Sequence, residues 1–161
     1  MLALLPAMLL LGACDDDDDV TAPALPNVVQ VAQAVNAETG EFSTLIAAVV
    51  AAGLVDELSA DGQRTVFAPT DAAFAAIGLT EDNIGTVPVA DLTGILLYHV
   101  TAGRLTASAV VAADALTMAN GGTAQVSVNG GAAFINDAEI VTTDVEASNG
   151  IIHVIDAVLL P

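Results

Sequence analysis

At 161 residues, the chain has room for one globular domain with a substantial core, but not for two of comfortable size. Its apolar share of 55% is dominated by Ala, Val, Leu and Ile, with no Trp, one Tyr and four Phe, so the core has to be built from small aliphatic side chains. Acidic residues number 20 against two bases, Arg64 and Arg104; the formal charge of −18 all but excludes nucleic acid, which needs a basic surface, and disfavours anionic membrane surfaces and acidic glycans.

The front of the chain reads as an export signal. Met1 to Ala13 is apolar and uncharged, but thirteen residues of helix reach only about 20 Å, short of a hydrocarbon core of roughly 30 Å. Small residues in Leu11-Gly12-Ala13 then precede Cys14, the only cysteine, and a polar run follows at once. Leu-Gly-Ala-Cys resembles the bacterial lipobox, which implies a lipidated Cys14 and a membrane anchor through it. No Lys or Arg precedes the apolar run, as a start upstream of Met1 would explain. Residues 15–26 open with five aspartates and continue rich in Thr, Ala and Pro, without periodicity; a flexible acidic tether is expected. The aspartate run lacks the spacing that wraps calcium. Without those five acids, 15 remain against 2 bases, about −13 for residues 27–161, which leaves cationic or neutral partners and divalent bridging open.

Asn27 is a good N-cap, and Val28, Ala32 and Val35 recur at helical spacing behind it. Phe42, Leu45, Ile46, Val49 and Val50 form a second, clearer apolar stripe, with Gly53 placed to end the helix and one further turn over Leu54 to Leu58. A short strand is predicted over Arg64 to Ala68. Pro69 cannot donate to a ladder and stops it, while Thr70 or Asp71 caps a helix carrying Phe74 and Ile77. Leu92, Ile95 and Leu96 make another helical face running into Tyr98-His99-Val100. Gly103 permits a turn before a short helix around Ser108 to Val111. From Ala115 the rhythm changes: Asn120-Gly121-Gly122, Asn129-Gly130-Gly131, Asn136-Asp137 and Asn149-Gly150 punctuate short Val-, Ile- and Thr-rich runs, the pattern of successive antiparallel hairpins. The last of these runs is nearly unbroken and aliphatic, as for a strand buried on both faces; its Asn-Gly opening fits a tight turn of positive φ. A helical half followed by a stranded half predicts an α+β fold.

Three stretches, Thr65 to Phe74, Leu97 to Leu105 and Asn149 to Pro161, together resemble the fasciclin domain in order and spacing. The resemblance covers about residues 27–161. It rests on Thr65, Phe67, Pro69, Thr70, Asp71 and Phe74 in the first motif, Tyr98 and His99 in the second, and Asn149, Gly150, His153 and Asp156 in the third. It implies a wedge-shaped β-sandwich of short antiparallel strands flanked by helices, and a role in extracellular adhesion to a protein or glycan. The Asp-Ile dipeptide by which some relatives engage integrins is absent, so integrin recognition is not carried over.

Chemistry is sparsely encoded. His99 and His153 each lie in an apolar run and are expected to be neutral and hydrogen-bonded, because a metal would need a third ligand such as Asp156 that the spacing does not supply. There is no G-x-S-x-G elbow, no phosphate-binding glycine frame and no recognisable carboxylate pair, so neither enzyme activity nor a cofactor is expected. Pro69, Thr70 and Asp71 are expected to fix a strand-to-helix corner. The Tyr98 ring should pack and its hydroxyl find a partner. The sequence therefore favours a non-catalytic binding module over a periplasmic structural or salt-adaptive protein.

Overall fold

A computed structural model describes residues 25–161; the expected signal peptide, Cys14 and all but the last two residues of the expected tether lie outside the described residues. Six α-helices, one 3-10 turn and seven strands follow. Helices α1 (Val28–Thr39), α2 (Ser43–Ala51) and α3 (Val55–Ser59) come first, then β1 (Arg64–Pro69), α4 (Asp71–Ala76), the 3-10 turn Ile84–Thr86, α5 (Val89–Leu97), β2 (Val100–Ala102) and α6 (Ala107–Ala112). The chain ends in β3 (Ala115–Thr117), β4 (Thr123–Asn129), β5 (Ala132–Ile135), β6 (Ala138–Ala147) and β7 (Gly150–Ile155). No described helix is long and apolar enough to cross a membrane.

The expected α+β architecture and meander are present. The strands run β2-β1-β7-β6-β5-β4-β3, and a single bridge between Thr101 and Met118 brings the two ends of the order together, so the sheet curls toward a barrel. Two clusters fill it. One lies between the sheet and α1, α2 and α5, around Phe74, Leu92, Leu96 and Ile152; the other is enclosed by the strands and α6, around Phe67, Val110, Ile135 and Ile155. Beta7 contributes to both, which is why its sequence shows no polar face.

Beta7, like β1, has neighbours of both senses. It pairs antiparallel with β6 and parallel with β1, from Arg64–Gly150 to Pro69–Ile155. A parallel pair between strands so far apart in sequence leaves no turn signal, so local reading of hairpins does not disclose it.

Local chemistry places the helices. Asn27 and Gln30 form a capping box at the start of α1, and Gly40 ends that helix in the left-handed region. Phe42 is not the first residue of the α2 stripe but its N-cap, at φ 71, with its ring buried. It supplies no side-chain cap; Asp71, far along the chain, does so instead, its carboxylate accepting from the Ser43 and Thr44 amides at 3.2 and 2.8 Å. Val50, expected inside, is 61% exposed, because α2 is covered on one side only. Ile77 caps the C-terminus of α4 rather than riding on it.

The expected tight turn is present, Ser148 and Asn149 joining the Ala147–Gly150 pair of β6 and β7, but without the positive φ expected of its Asn-Gly. Neither residue has positive φ. Glycine is required at 150 by contact: a Cβ built there would overlap the Arg64 carbonyl oxygen and lie 2.9 Å from its carbon. The strand occupies only the first half of the closing apolar run, and residues 156–161 leave the sheet with Leu159 buried and Leu160 54% exposed.

Ile152 and Ile155 sit at the two cores with 3% and 0% exposure. An unpaired carboxylate at either costs several kcal/mol against a total stability of about 5–15 kcal/mol. Ile152→Asp and Ile155→Asp should therefore each abolish the cooperative thermal transition followed by circular dichroism; a retained transition in both would contradict this placement.

Candidate functional site

The three motif stretches converge on β1. On one side β7 runs parallel to it; on the other, β2 is antiparallel and the Phe67 amide donates to the His99 carbonyl at 2.8 Å, one residue before β2 begins. Phe67 stacks on the His153 ring, centroids 5.6 Å apart. Thr65, fully buried, donates to the Gly103 carbonyl and accepts from the Leu105 amide, both at 2.8 Å, and so closes the loop after β2. Pro69 is buried at the end of β1, and Thr70 caps α4 by accepting from the Ala73 amide. Phe74 is buried on α4, and Asp71 caps α2.

Both histidines are neutral and doubly paired. His99 donates from Nδ1 to the Ile95 carbonyl at 2.7 Å and accepts at Nε2 from the Leu159 amide at 2.8 Å. His153 accepts at Nδ1 from the Asp144 amide at 3.2 Å and donates from Nε2 to the Leu105 carbonyl at 2.8 Å. Each thus ties a loop or tail to the sheet. Burial pushes the His99 pKa down to about 4 against the opposing bond to Ile95. It lowers that of His153 as well, against the Leu105 bond and the Asp144 charge.

Tyr98 points into the strand-enclosed cluster. Its hydroxyl donates to the Thr123 carbonyl at 2.8 Å and accepts from Asn136 at 3.2 Å, while Gly122 lies so close that a Cβ would come within 2.8 Å of the ring. Asp156, just past the end of β7, still ties the chain to β6: its carboxylate accepts from the Glu139 amide at 2.8 Å and its own amide donates to the Glu139 carbonyl at 3.1 Å.

Asn149 is a hub. Its side chain accepts from the Val28 amide at 2.9 Å and donates to the Leu58 and Ala60 carbonyls at 2.7 and 3.0 Å, joining α1, α3 and the start of β7. Arg104 completes the joint: it donates to the Ala147 and Gly150 carbonyls and pairs with Glu146 at 3.3 Å. Arg64 donates to the Glu57 and Ala60 carbonyls. Both of the chain's cations are thus engaged at the joint between β7 and the helices. Arg104 had no assigned role in the sequence reading, although its rarity in so acidic a chain was the available signal.

The motif residues therefore form a frame that is buried except at Thr70, Asp71 and Asp156, with their polar atoms paired mainly to backbone. Among the described residues, no three His, Cys, Asp or Glu side chains lie together as a metal would require. What the frame leaves to the outside is surface.

Residues 40–161 match the family model described as the fasciclin domain. The chain is 47% identical over 122 residues to protein sll1483 of Synechocystis, covering 74% of this chain and 67% of that one. It is 34% identical over 144 residues to the transforming growth factor-beta-induced protein ig-h3 of Sus scrofa, covering 89% of this chain but 20% of that much longer one. Among solved structures it is similar to a FAS1 domain pair from the insect cell adhesion molecule Fasciclin I, with a TM-score of 0.67 at 20% identity, over 86% of this chain and 52% of that one. The chain belongs to the fasciclin domain family.

Two outcomes follow. Gly150→Ala should lose roughly 3 kcal/mol or more by chemical denaturation, since its neighbour is backbone that cannot turn aside; a loss under about 1 kcal/mol would refute the contact. For His99, the folded pKa of about 4 lies below the ordinary 6.5, so the unfolded chain binds the extra proton between those values. The His99 contribution is complete above pH 6.5 and is lost as pH falls toward 4, by about 3 kcal/mol. Relief of carboxylate repulsion works in the opposite direction, so the readout is the difference from His99→Gln. Stability of the wild type should fall more steeply than that of the variant from pH 7 to 4; parallel curves would contradict the assignment.

Proposed function

We infer that this protein is an exported, non-catalytic binding and adhesion module, held at the bacterial cell envelope by a lipid on Cys14. One observation carries the reading: in a fasciclin domain whose histidines, arginines and motif polar groups are engaged internally, recognition falls to the outer face. The adhesion molecule with the same fold supports the class of activity. The small residues before Cys14 and the aspartates after it support processing and a tether. The charge of −18 turns the module toward cationic or neutral protein or glycan partners.

That same charge also favours a second reading, a salt-adaptive envelope protein without a dedicated partner. Immobilised protein incubated with envelope extract separates the two: the module retains a specific partner at moderate salt, whereas the salt-adaptive protein retains none.

The anchor has its own test. Cys14→Ser should move the chain from the detergent phase to the aqueous phase on phase separation. In addition, the chain has no lysine, so a mature protein acylated on the Cys14 amine carries no primary amine and should resist amine-reactive dye. An unchanged partition in the variant, or labelling of the native wild type, would contradict the anchor.

A further inference from the structure

The layer between α1 and the sheet is not filled. Of α1, only Val28 and Val31 are buried. Ala32, the next residue, lines two apolar recesses together with Ala68 of β1 and Ile152 of β7. One, of about 50 Å³, opens toward α2 and α3; the other, of about 230 Å³, lies toward β6. Small side chains on both layers leave the gap between them. Beta6, which walls the larger recess, is bulged there: six of its residues, Ile140 to Val145, lie against four of β7, Ile152 to Ile155, and Asp144 sits at φ 57.

The larger recess is graded from floor to mouth. Val31, Phe42, Ala68 and Ile152 are buried at its floor, whereas Thr39, Glu41 and Thr142 are exposed at its mouth. An apolar floor does not hold water, which needs several polar partners, so what fits is an aliphatic chain with a polar end. A dry cavity of about 150 Å³ takes benzene, and by that measure the recess takes a chain of about nine carbons.

The mouth selects the polar end. Thr39 donates to the Val35 carbonyl at 2.8 Å, and Glu41 accepts from the Asp71 amide at 3.4 Å. The Thr142 hydroxyl has no partner among the described residues and is free to bond a ligand. Glu41 at the opening, in a chain of charge −18, repels an anionic head such as a carboxylate or phosphate; a hydroxyl or ester meets no such repulsion.

We propose that the recess between α1, β6 and β7 is a binding site for a single aliphatic chain with an uncharged head, the chemistry of a neutral lipid. This goes beyond the adhesion reading, which concerns the outer face, and does not depend on it.

The probe is nonanol carrying a mid-chain diazirine, photolysed in envelope extract containing the full chain, with the labelled peptides mapped by mass spectrometry. Label is expected on α1, β6 and β7 at the recess. Ala32→Leu fills the space that both recesses share and should cut this label at least fivefold, with a melting temperature no lower than that of the wild type. Val35→Phe fills the larger recess alone and should do the same, so the test survives if Ala32→Leu does not pack. Ala37→Leu, an equal enlargement at an exposed position of α1, should change the label less than twofold. The matching carboxylic acid should label at least fivefold less than the alcohol. Label scattered outside the recess, equal labelling by the acid, stronger labelling by the matching amine, or equal effects of Ala32→Leu and Ala37→Leu would overturn the proposal. So would a label that rises at least fivefold in Cys14→Ser, which would make the chain's own anchor the occupant.

Discussion

The structure depends on the close approach of β7 to β1. The parallel pairing brings the Gly150 Cα against the Arg64 carbonyl, with no space for a side chain between them. Everything around the joint holds that approach in place: Asn149 fixes the incoming chain to α1 and α3, Arg104 gathers the carbonyls of Ala147 and Gly150, and the Arg64 amide donates to the Asn149 carbonyl at 3.1 Å. Because β7 serves both hydrophobic clusters, the helical layer and the curled meander are coupled through one strand. In a core without Trp, where Phe42, Phe67, Phe74 and Tyr98 are set among aliphatic side chains, such backbone contact and continuous packing add to what the aromatic rings hold.

The two histidines serve this joint at its margins. Beta7 is paired along both edges, by β1 and β6, and the tail after β7 and the loop after β2 are fixed through imidazoles that offer one donor and one acceptor each. Thr65 performs the same service with a hydroxyl. Burial keeps the rings neutral at physiological pH and makes the arrangement acid-sensitive. The Tyr98–Thr123–Asn136 bonds tie the end of α5 to the β4 and β5 turns in a comparable way.

Much of this was legible in the sequence. The two-faced apolarity of Ile151 to Ile155 identified an interior strand, the Asn-Gly and Gly-Gly pairs located the turns of the meander, and Thr70 and Asn27 marked helix starts. The misses share a physical cause, which is distance along the chain. Phe42 and Val50 fit a helical stripe, but which face of α2 is covered depends on where the sheet lies. Asp71 looked like a local cap and instead caps a helix 28 residues earlier. Asn149-Gly150 does stand at the β6–β7 turn, but its glycine is needed for contact with β1, on the far side of the domain in sequence, and not for a positive φ.

A domain so constructed has a rigid interior strand and a peripheral hairpin that can be approached without disturbing it. Native-state hydrogen exchange tests that division most directly. The account predicts that the amides of Ile151 to Ile155 exchange only through global unfolding, with protection equal to the full stability of the domain, while those of β4 and β5 exchange through smaller openings. Amides of β7 exchanging as fast as those of the β4–β5 hairpin would contradict it.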